Sequence, residues 1–208
     1  MLTVVGNLKG GTGKSTVAFN LAVWLAHSKK GVAAFDLDPQ ATLTDVCEVR
    51  REDGFDPPVL VSNKIEVLEK LVNANTSQPI IADVSATNMP HLEKAVSLAT
   101  RVLIPIQPSQ ADIWSTQRFL KILSQHIDRE KTQVQGFINR ADTHISVRET
   151  DEAEEALEML QGIDALKARL YQRTAYRRSF SEGLAVFELD PMGKASHEMK
   201  HLARILYK

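Results

Sequence analysis

Lys9-Gly10-Gly11-Thr12-Gly13-Lys14-Ser15-Thr16 is the stretch that decides the fold. Ahead of it, Leu2-Thr3-Val4-Val5 is a short apolar run that reads as a buried parallel strand. Behind it, Val17 to Ala26 reads as a helix with an apolar face. Strand, glycine-rich turn and helix in that order are what a phosphate-binding loop requires. Glycines let the backbone approach phosphate oxygens with no Cβ in the way. The N–H groups of the turn and the helix N-terminus then point at the anion. In such a loop Lys14 reaches the β- and γ-phosphates and the Ser15 hydroxyl completes a magnesium shell.

The strict pattern G-x-x-x-x-G-K-[ST] fails at its first position, which is Leu8, and a second lysine, Lys9, stands just before the double glycine. One lysine already serves the bound phosphates, so a second at the mouth of the loop calls for another anion. Out of context the stretch could be a glycine-rich turn with surface lysines, but the flanking strand and helix speak for the phosphate loop. The stretch resembles the deviant Walker A box of the ParA/MinD ATPases. That resemblance implies ATP and Mg2+ as ligands. It makes Lys9, Gly10, Gly11, Thr12, Gly13, Lys14, Ser15 and Thr16 the phosphate-binding set, with Lys9 and Lys14 catalytic. It also sends Lys9 across a dimer interface to the nucleotide of the partner subunit.

A chain of 208 residues suggests one domain spanning 1–208, long enough to bury a core. The formal net charge is −1, so bulk charge names no partner. Its distribution says more. From residue 165 onward there are nine Lys or Arg against four Asp or Glu, an excess of five, which leaves about −6 for the rest. The lone Cys47 excludes a disulfide within the chain and fits a reducing compartment. It reads as a small buried side chain rather than a catalyst. It also argues against the iron–sulfur branch of the deviant Walker ATPases, which needs two thiolates per subunit. No apolar run reaches membrane-spanning length, and the chain is expected to start directly in a strand with no targeting peptide.

Strands and helices alternate along the chain. Strands are expected at Val32–Phe35, Val59–Val61, Pro79–Asp83, Val102–Ile106, Val134–Ile138 and Ala168–Tyr171. Helices are expected around Ile65–Val72, Leu92–Leu98, Phe119–Ile127, Ala153–Leu160 and Lys194–Tyr207. Residues 48–58, with charges, Gly54 and two prolines, read as a surface connection. The acidic run Glu152, Glu154, Glu155 and Glu158 reads as a solvated helix face. The alternation predicts an α/β fold, a mostly parallel twisted sheet with helices on both faces. In such sheets ligands bind beyond the carboxyl ends of the strands.

Three acidic or glycine-rich elements fall at those ends: the loop at 9–16, the pair Asp36 and Asp38, and Asp83. Asp36 and Asp38 lie two apart, so in extended backbone they face one side. They could hold hydrated magnesium and orient a water for in-line attack, or simply form a turn or cap. The stretch Asp36-Leu37-Asp38-Pro39-Gln40 is similar to the switch I box of the ParA family, which gives the water to Asp38 and leaves Asp36 to the metal. Asp83 closes an apolar strand as a Walker B aspartate does, and its carboxylate would hold a magnesium-bound water. The family usually continues D-x-P. Here Asp83-Val84-Ser85-Ala86 departs from that, and the switch II backbone is left open. Asn139-Arg140 ends a strand where the family places an asparagine on the adenine edge, so both join the nucleotide-binding set.

The segment Arg173–Glu188 also resembles the C-terminal third of small ParA proteins, so the resemblance spans nearly the whole chain. It implies a short ParA-type ATPase with no helix-turn-helix domain ahead of the core. Such a protein forms an ATP-bridged homodimer, binds DNA without sequence preference, and positions a plasmid, chromosome or protein assembly. A ParB-like or other cargo-adaptor protein stimulates its hydrolysis, and it sits in the cytoplasm on the nucleoid. The basic residues Arg169, Arg173, Arg177, Arg178, Lys194, Lys200 and Arg204 are the expected DNA contacts, with a functionless solvated face as the alternative. A MinD-like membrane ATPase would need a free amphipathic C-terminal helix. Apolar residues at 199, 202, 203 and 206 equally suit a helix packed on the sheet, so no membrane is expected. A ligase resembling dethiobiotin synthetase would need a small-molecule pocket for which the sequence has no distinctive text.

Overall fold

In a computed structural model, which describes residues 1–28, 31–144 and 148–207, the chain forms a parallel sheet between two layers of helix. Lys208, the last basic residue of the sequence, lies outside the described residues. The strands are β1 (Leu2–Val5), β2 (Ala33–Asp36), β3 (Val61–Ser62), β4 (Ile80–Asp83), β5 (Arg101–Ile106), β6 (Gln133–Ala141) and β7 (Asp164–Tyr171). The helices are α1 (Lys14–Ala26), α2 (Thr42–Glu52), α3 (Ile65–Asn73), α4 (Met89–Leu98), α5 (Gln110–His126), α6 (Glu149–Glu158), α7 (Thr174–Ser181), α8 (Val186–Leu189) and α9 (Lys194–Leu206). A 3-10 turn, Ala86–Asn88, precedes α4.

The strand order is β3-β2-β4-β1-β5-β6-β7, and every neighbouring pair is parallel. The expected sheet is therefore parallel throughout the described residues, not merely for the most part. β1 is central. The chain first builds outward on one side of it and then crosses to build on the other, so the order reverses at β1. A crevice opens beyond its carboxyl end. This brings the segments after β1, β2, β4 and β5 to one rim.

β1, β4 and β5 are buried along their whole length, as unbroken apolar runs covered on both faces must be. Alternate side chains sort into two cores. Val5, Ala34, Ile81, Leu103 and Phe137 pack with α1, α2, α8 and α9. Leu2, Val4, Phe35, Val102 and Ile104 pack with α3, α4, α5 and α6. The apolar face of α9, formed by Met199, Leu202, Ala203 and Leu206, belongs to the first core.

Three expectations are corrected. The strand placed at Val59–Val61 is a two-residue edge strand at Val61–Ser62. The surface connection placed at 48–58 begins only after Glu52, because α2 runs through its first part. Leu43, Val46, Cys47 and Arg50 are the buried stripe of that helix, at the i, i+3, i+4, i+7 spacing of a core-facing face. Arg50 is fully buried. Its guanidinium donates to Glu188 at 2.8 Å and to the carbonyls of Pro57 and Gly183. The acidic face of α6 is not only solvated: Asp151 and Glu154 pair with Arg169, and Glu158 pairs with Lys167. Cys47 is buried as expected, and burial pushes its thiol up to about 12.

Candidate functional site

The loop after β1 is held from several sides. Asn7 is fully buried, donates to the Pro105 carbonyl at 2.9 Å and accepts the Lys9 N–H at 3.1 Å. Gln107, just past β5, donates to the Gly11 carbonyl at 2.7 Å. Asn139, at the end of β6, donates to the Thr12 carbonyl at 2.6 Å. Gly13 takes a left-handed φ of +89°, and a Cβ there would run into the Asn139 amide nitrogen. Glycine is thus required at 13 on two grounds, conformation and space.

Helix α1 starts at Lys14, and its first backward bond is Val17 N–H to the Gly13 carbonyl. The N–H groups of Lys14, Ser15 and Thr16 precede that bond and have no partner within the helix. The Lys14 side chain is buried, and among the described residues it makes no ion pair. A buried ammonium without a counter-ion in contact suits an anion brought from outside.

Asp83 lies across from Asp36 in the β2–β4 register and from Val5 in the β1–β4 register. It is fully buried, and neither carboxylate oxygen has a hydrogen-bond partner. Burial pushes its carboxyl up to about 7. The Ser15 hydroxyl, nearby but outside hydrogen-bonding geometry, draws it back, as does Lys14, while Asp36 and Asp38 add to the rise. Orphaned buried carboxylate oxygens beside a hydroxyl are hard oxygen donors, and they fit a hydrated Mg2+. Among the described residues no group of three or more His, Cys, Asp or Glu could hold a metal by itself.

Asp36 is engaged by the protein. One oxygen accepts the Thr44 N–H at 2.8 Å and the Thr44 hydroxyl at 3.0 Å, and the other accepts the Asp38 N–H at 3.3 Å. Burial raises its carboxyl, with the Thr44 bonds opposing. Asp38 is half-buried and caps the turn by accepting the Gln40 N–H at 3.0 Å.

Two cavities, each of about 430 Å3, meet at Gly13, Thr16 and Arg140. The first is lined by Gly10, Gly11, Gly13, Lys14, Ser15 and Thr16 of the loop and by Asp38, Thr42, Ser85 and Thr87. The second is lined by Asn139, Tyr176, Phe180, Arg173 and Arg177. Arg140 stands between them, exposed, with a left-handed φ of +57°. The structure therefore gathers the loop, Asp38, Asp83 and Asn139-Arg140 at one rim. A cavity floored by the loop adjoins a partly aromatic one of the same size.

The seven basic candidates of the C-terminal third are not one patch of free charge. Arg169 is committed to Asp151 and Glu154. Arg173 pairs with Glu198 at 2.6 Å and lies over the Tyr171 ring. Arg178 pairs with Glu182 at 2.9 Å, and Lys200 donates to the Pro191 carbonyl at 3.0 Å. Arg177, Lys194 and Arg204 are exposed or half-exposed and make no ion pair among the described residues. Of these, Arg177 lines the second cavity.

Sequence reasoning passed over several residues at the rim. Ser85 and Thr87, whose hydroxyls lie 2.5 Å apart, occupy the departure from D-x-P and line the first cavity. Thr44 holds Asp36. Asp112 holds Lys9. The pattern Ser109-x-x-Asp112 just ahead of an apolar-periodic run is a helix-start signal that could have drawn attention to Asp112.

A family model described as the CobQ/CobB/MinD/ParA nucleotide binding domain matches residues 3–186. The maintenance of carboxysome distribution protein A of Halothiobacillus neapolitanus is 29% identical over 199 residues, covering 92% of this chain and 89% of the relative. Protein ParA of Rhizobium radiobacter is 27% identical over 191 residues, covering 88% and 83%. Among solved structures, the septum site-determining protein MinD of Pyrococcus horikoshii in complex with Mg-ADP superposes with a TM-score of 0.76 at 18% identity. It covers 100% of this chain and 96% of that one. At that identity the likeness speaks for the fold.

Proposed function

The chain belongs to the CobQ/CobB/MinD/ParA nucleotide-binding family, and within it we propose a ParA-type ATPase, one domain over 1–208, that positions a cargo. The observation that carries this reading is a buried Lys14 lining the cavity that Asp38 borders, with the buried, unpartnered carboxylate of Asp83 close enough to feel its charge. The phosphates of ATP rest on the free N–H groups of the loop and on Lys14. Ser15 and Asp83 would hold a Mg2+ ion, Ser15 through its hydroxyl and Asp83 through its carboxylate. The ion neutralises charge on the phosphate oxygens.

Asp38 orients a water in line with the γ-phosphorus. The water oxygen bonds to phosphorus as the bond to the β–γ bridging oxygen breaks, giving ADP and phosphate. The nucleoside lies in the second cavity, beside Asn139, Arg140 and Tyr176. Asn139 is also a strut of the loop, so its carbonyl oxygen, not its bonded amide nitrogen, faces the base. Lys9 stands at the outer arm of the loop, where a second subunit's phosphates would meet it. An ATP-bridged dimer then binds DNA through two copies of the basic residues, and a cargo-bound partner protein stimulates hydrolysis.

The names of the relatives support positioning, of carboxysomes in one case. A MinD-like membrane mode is less well supported, because the apolar face of α9 is already spent in the core. The test is co-sedimentation with an arbitrary DNA duplex and with anionic liposomes, with and without ATP. ATP-dependent pelleting with DNA alone is expected. ATP-dependent pelleting with liposomes alone would replace this reading with the membrane one.

A further inference from the structure

Lys9 is not free at the mouth of the loop. Its Nζ lies 2.5 Å from Oδ2 of Asp112, in the first turn of α5. The lysine side chain is 40% exposed and the aspartate is fully buried. The same Oδ2 accepts the Ser109 hydroxyl at 2.5 Å, while Oδ1 has no hydrogen-bond partner. Ser109 in turn caps α5 by accepting the Asp112 N–H, and Gln107 from the same segment grips the Gly11 carbonyl. The β5–α5 segment therefore clamps the outer arm of the loop at two points, one of them an ion pair between Lys9 and a buried carboxylate.

We propose that Asp112 is a positioning residue that holds Lys9 withdrawn onto its own subunit, so that Lys9 must leave Asp112 before it can serve a phosphate outside. This rests on the cross-subunit role given to Lys9 under the proposed function. Departure of Lys9 from Asp112 strips a buried carboxylate of its cation and leaves it with one hydroxyl, an arrangement that costs free energy. The helix N-terminus behind Asp112 tempers that cost without removing it. The consequence is a threshold: a second subunit must offer Lys9 a more strongly charged partner than Asp112, which a triphosphate does and an empty site does not. Asp112 thus opposes self-association without nucleotide.

The variant Asp112→Asn keeps shape and removes the charge. Two measurements on the full chain read its effect. In the nucleotide-free protein, labelling of Lys9 by an amine-acylating reagent, followed by peptide mass spectrometry, should speed up at least threefold, with Asp112→Glu restoring the slow rate. With a non-hydrolysable ATP analogue, the concentration at the midpoint of dimerisation should fall at least tenfold by sedimentation. An unchanged labelling rate overturns the proposal, and so does a higher dimerisation midpoint, which would make Asp112 a builder of the interface. If the parent forms no dimer with the analogue, the cross-subunit role fails, and labelling still decides whether Asp112 withdraws Lys9. Should Asp112→Asn melt early, Ser109→Ala, which removes the hydroxyl orienting the carboxylate, replaces it under the same criteria.

Discussion

At the residue scale, three charged side chains near one cavity meet three different environments, and their substitutions should separate accordingly. Lys14 is buried and unpaired, so Lys14→Ala should abolish tight nucleotide binding. Asp38 is half-buried and bonds only to its own turn, so Asp38→Ala should bind ATP as the parent does while hydrolysing it at least a hundredfold more slowly. Equilibrium binding and single-turnover hydrolysis read the two effects, and parental turnover in Asp38→Ala would remove its assigned role. Asp83 makes a prediction about pH. Its carboxyl sits at about 7 in the folded chain, against an ordinary 3.8. The folded state keeps the proton that the unfolded state gives up, so this group destabilises the nucleotide-free protein increasingly as pH rises from about 4 to about 7. The penalty is constant above that window and absent below it. Asp83→Asn deletes this dependence. The variant's stability relative to the parent should rise across that window by on the order of 4 kcal/mol, measured by urea unfolding at several pH values without nucleotide. A difference that stays flat with pH would show that Asp83 is not held protonated by burial.

At the element scale, α2 is where the chain is least legible in sequence and where packing explains why. Its stripe runs Leu43, Val46, Cys47 and then Arg50, and the arginine breaks the apolar pattern just where the helix continues. Nothing local announces that Glu188, far along the chain, supplies the counter-charge. The neighbouring strand β3 is equally hard to place, because two residues at a sheet edge carry too little periodicity to fix a register. By contrast, β1, β4 and β5 are readable because strands buried on both faces are unbroken apolar runs. The loop and Asp83 are readable because their setting is local, a strand followed by its end. Asp112 and Thr44 act on Lys9 and Asp36 across the fold or around a turn, which spacing alone does not reveal. The Arg50–Glu188 bridge joins α2, which carries Thr44, to α8. Arg50→Met should strand Glu188 with His27 and the Ala185 N–H as its remaining partners. The expected cost is about 3 kcal/mol, the lower end for breaking a buried pair, since Glu188 is partly exposed. A second change, Glu188→Gln, should then add less than it does alone, because both remove one interaction. Additive losses in urea unfolding would mean that the two side chains do not support each other.

At the scale of the whole molecule, charge is the property that folding redistributes most. The sequence places an excess of five positive charges after residue 165, but β7 lies beside the acidic helix α6, which neutralises Arg169 and Lys167. Glu198 on α9 does the same for Arg173. The basic third is therefore less basic in space than in sequence, and among the described residues its cations without a carboxylate partner are Arg177, Lys194, Lys200 and Arg204, with Lys200 tied to the Pro191 carbonyl. Arg177 borders the second cavity, so its removal would confuse nucleotide and DNA effects. Lys194 and Arg204, near opposite ends of α9, are clear of both cavities. If the dimer tracks DNA phosphates through these residues, Lys194→Ala with Arg204→Ala should weaken binding to any duplex alike, since phosphate recognition carries no sequence information. Two substitutions in each of two subunits leave up to four phosphates without a cation. The slope of log affinity against log salt should flatten by about 0.9 for each phosphate no longer neutralised. Binding of the analogue should stay at the parental level. Arg169→Ala should leave the slope unchanged and lower stability instead, because its charge is already matched by two carboxylates. Mobility shifts of one arbitrary duplex over a series of salt concentrations decide between them. A flattened slope in Arg169→Ala, with none in the double variant, would move the DNA surface from α9 to the β7–α6 side of the molecule.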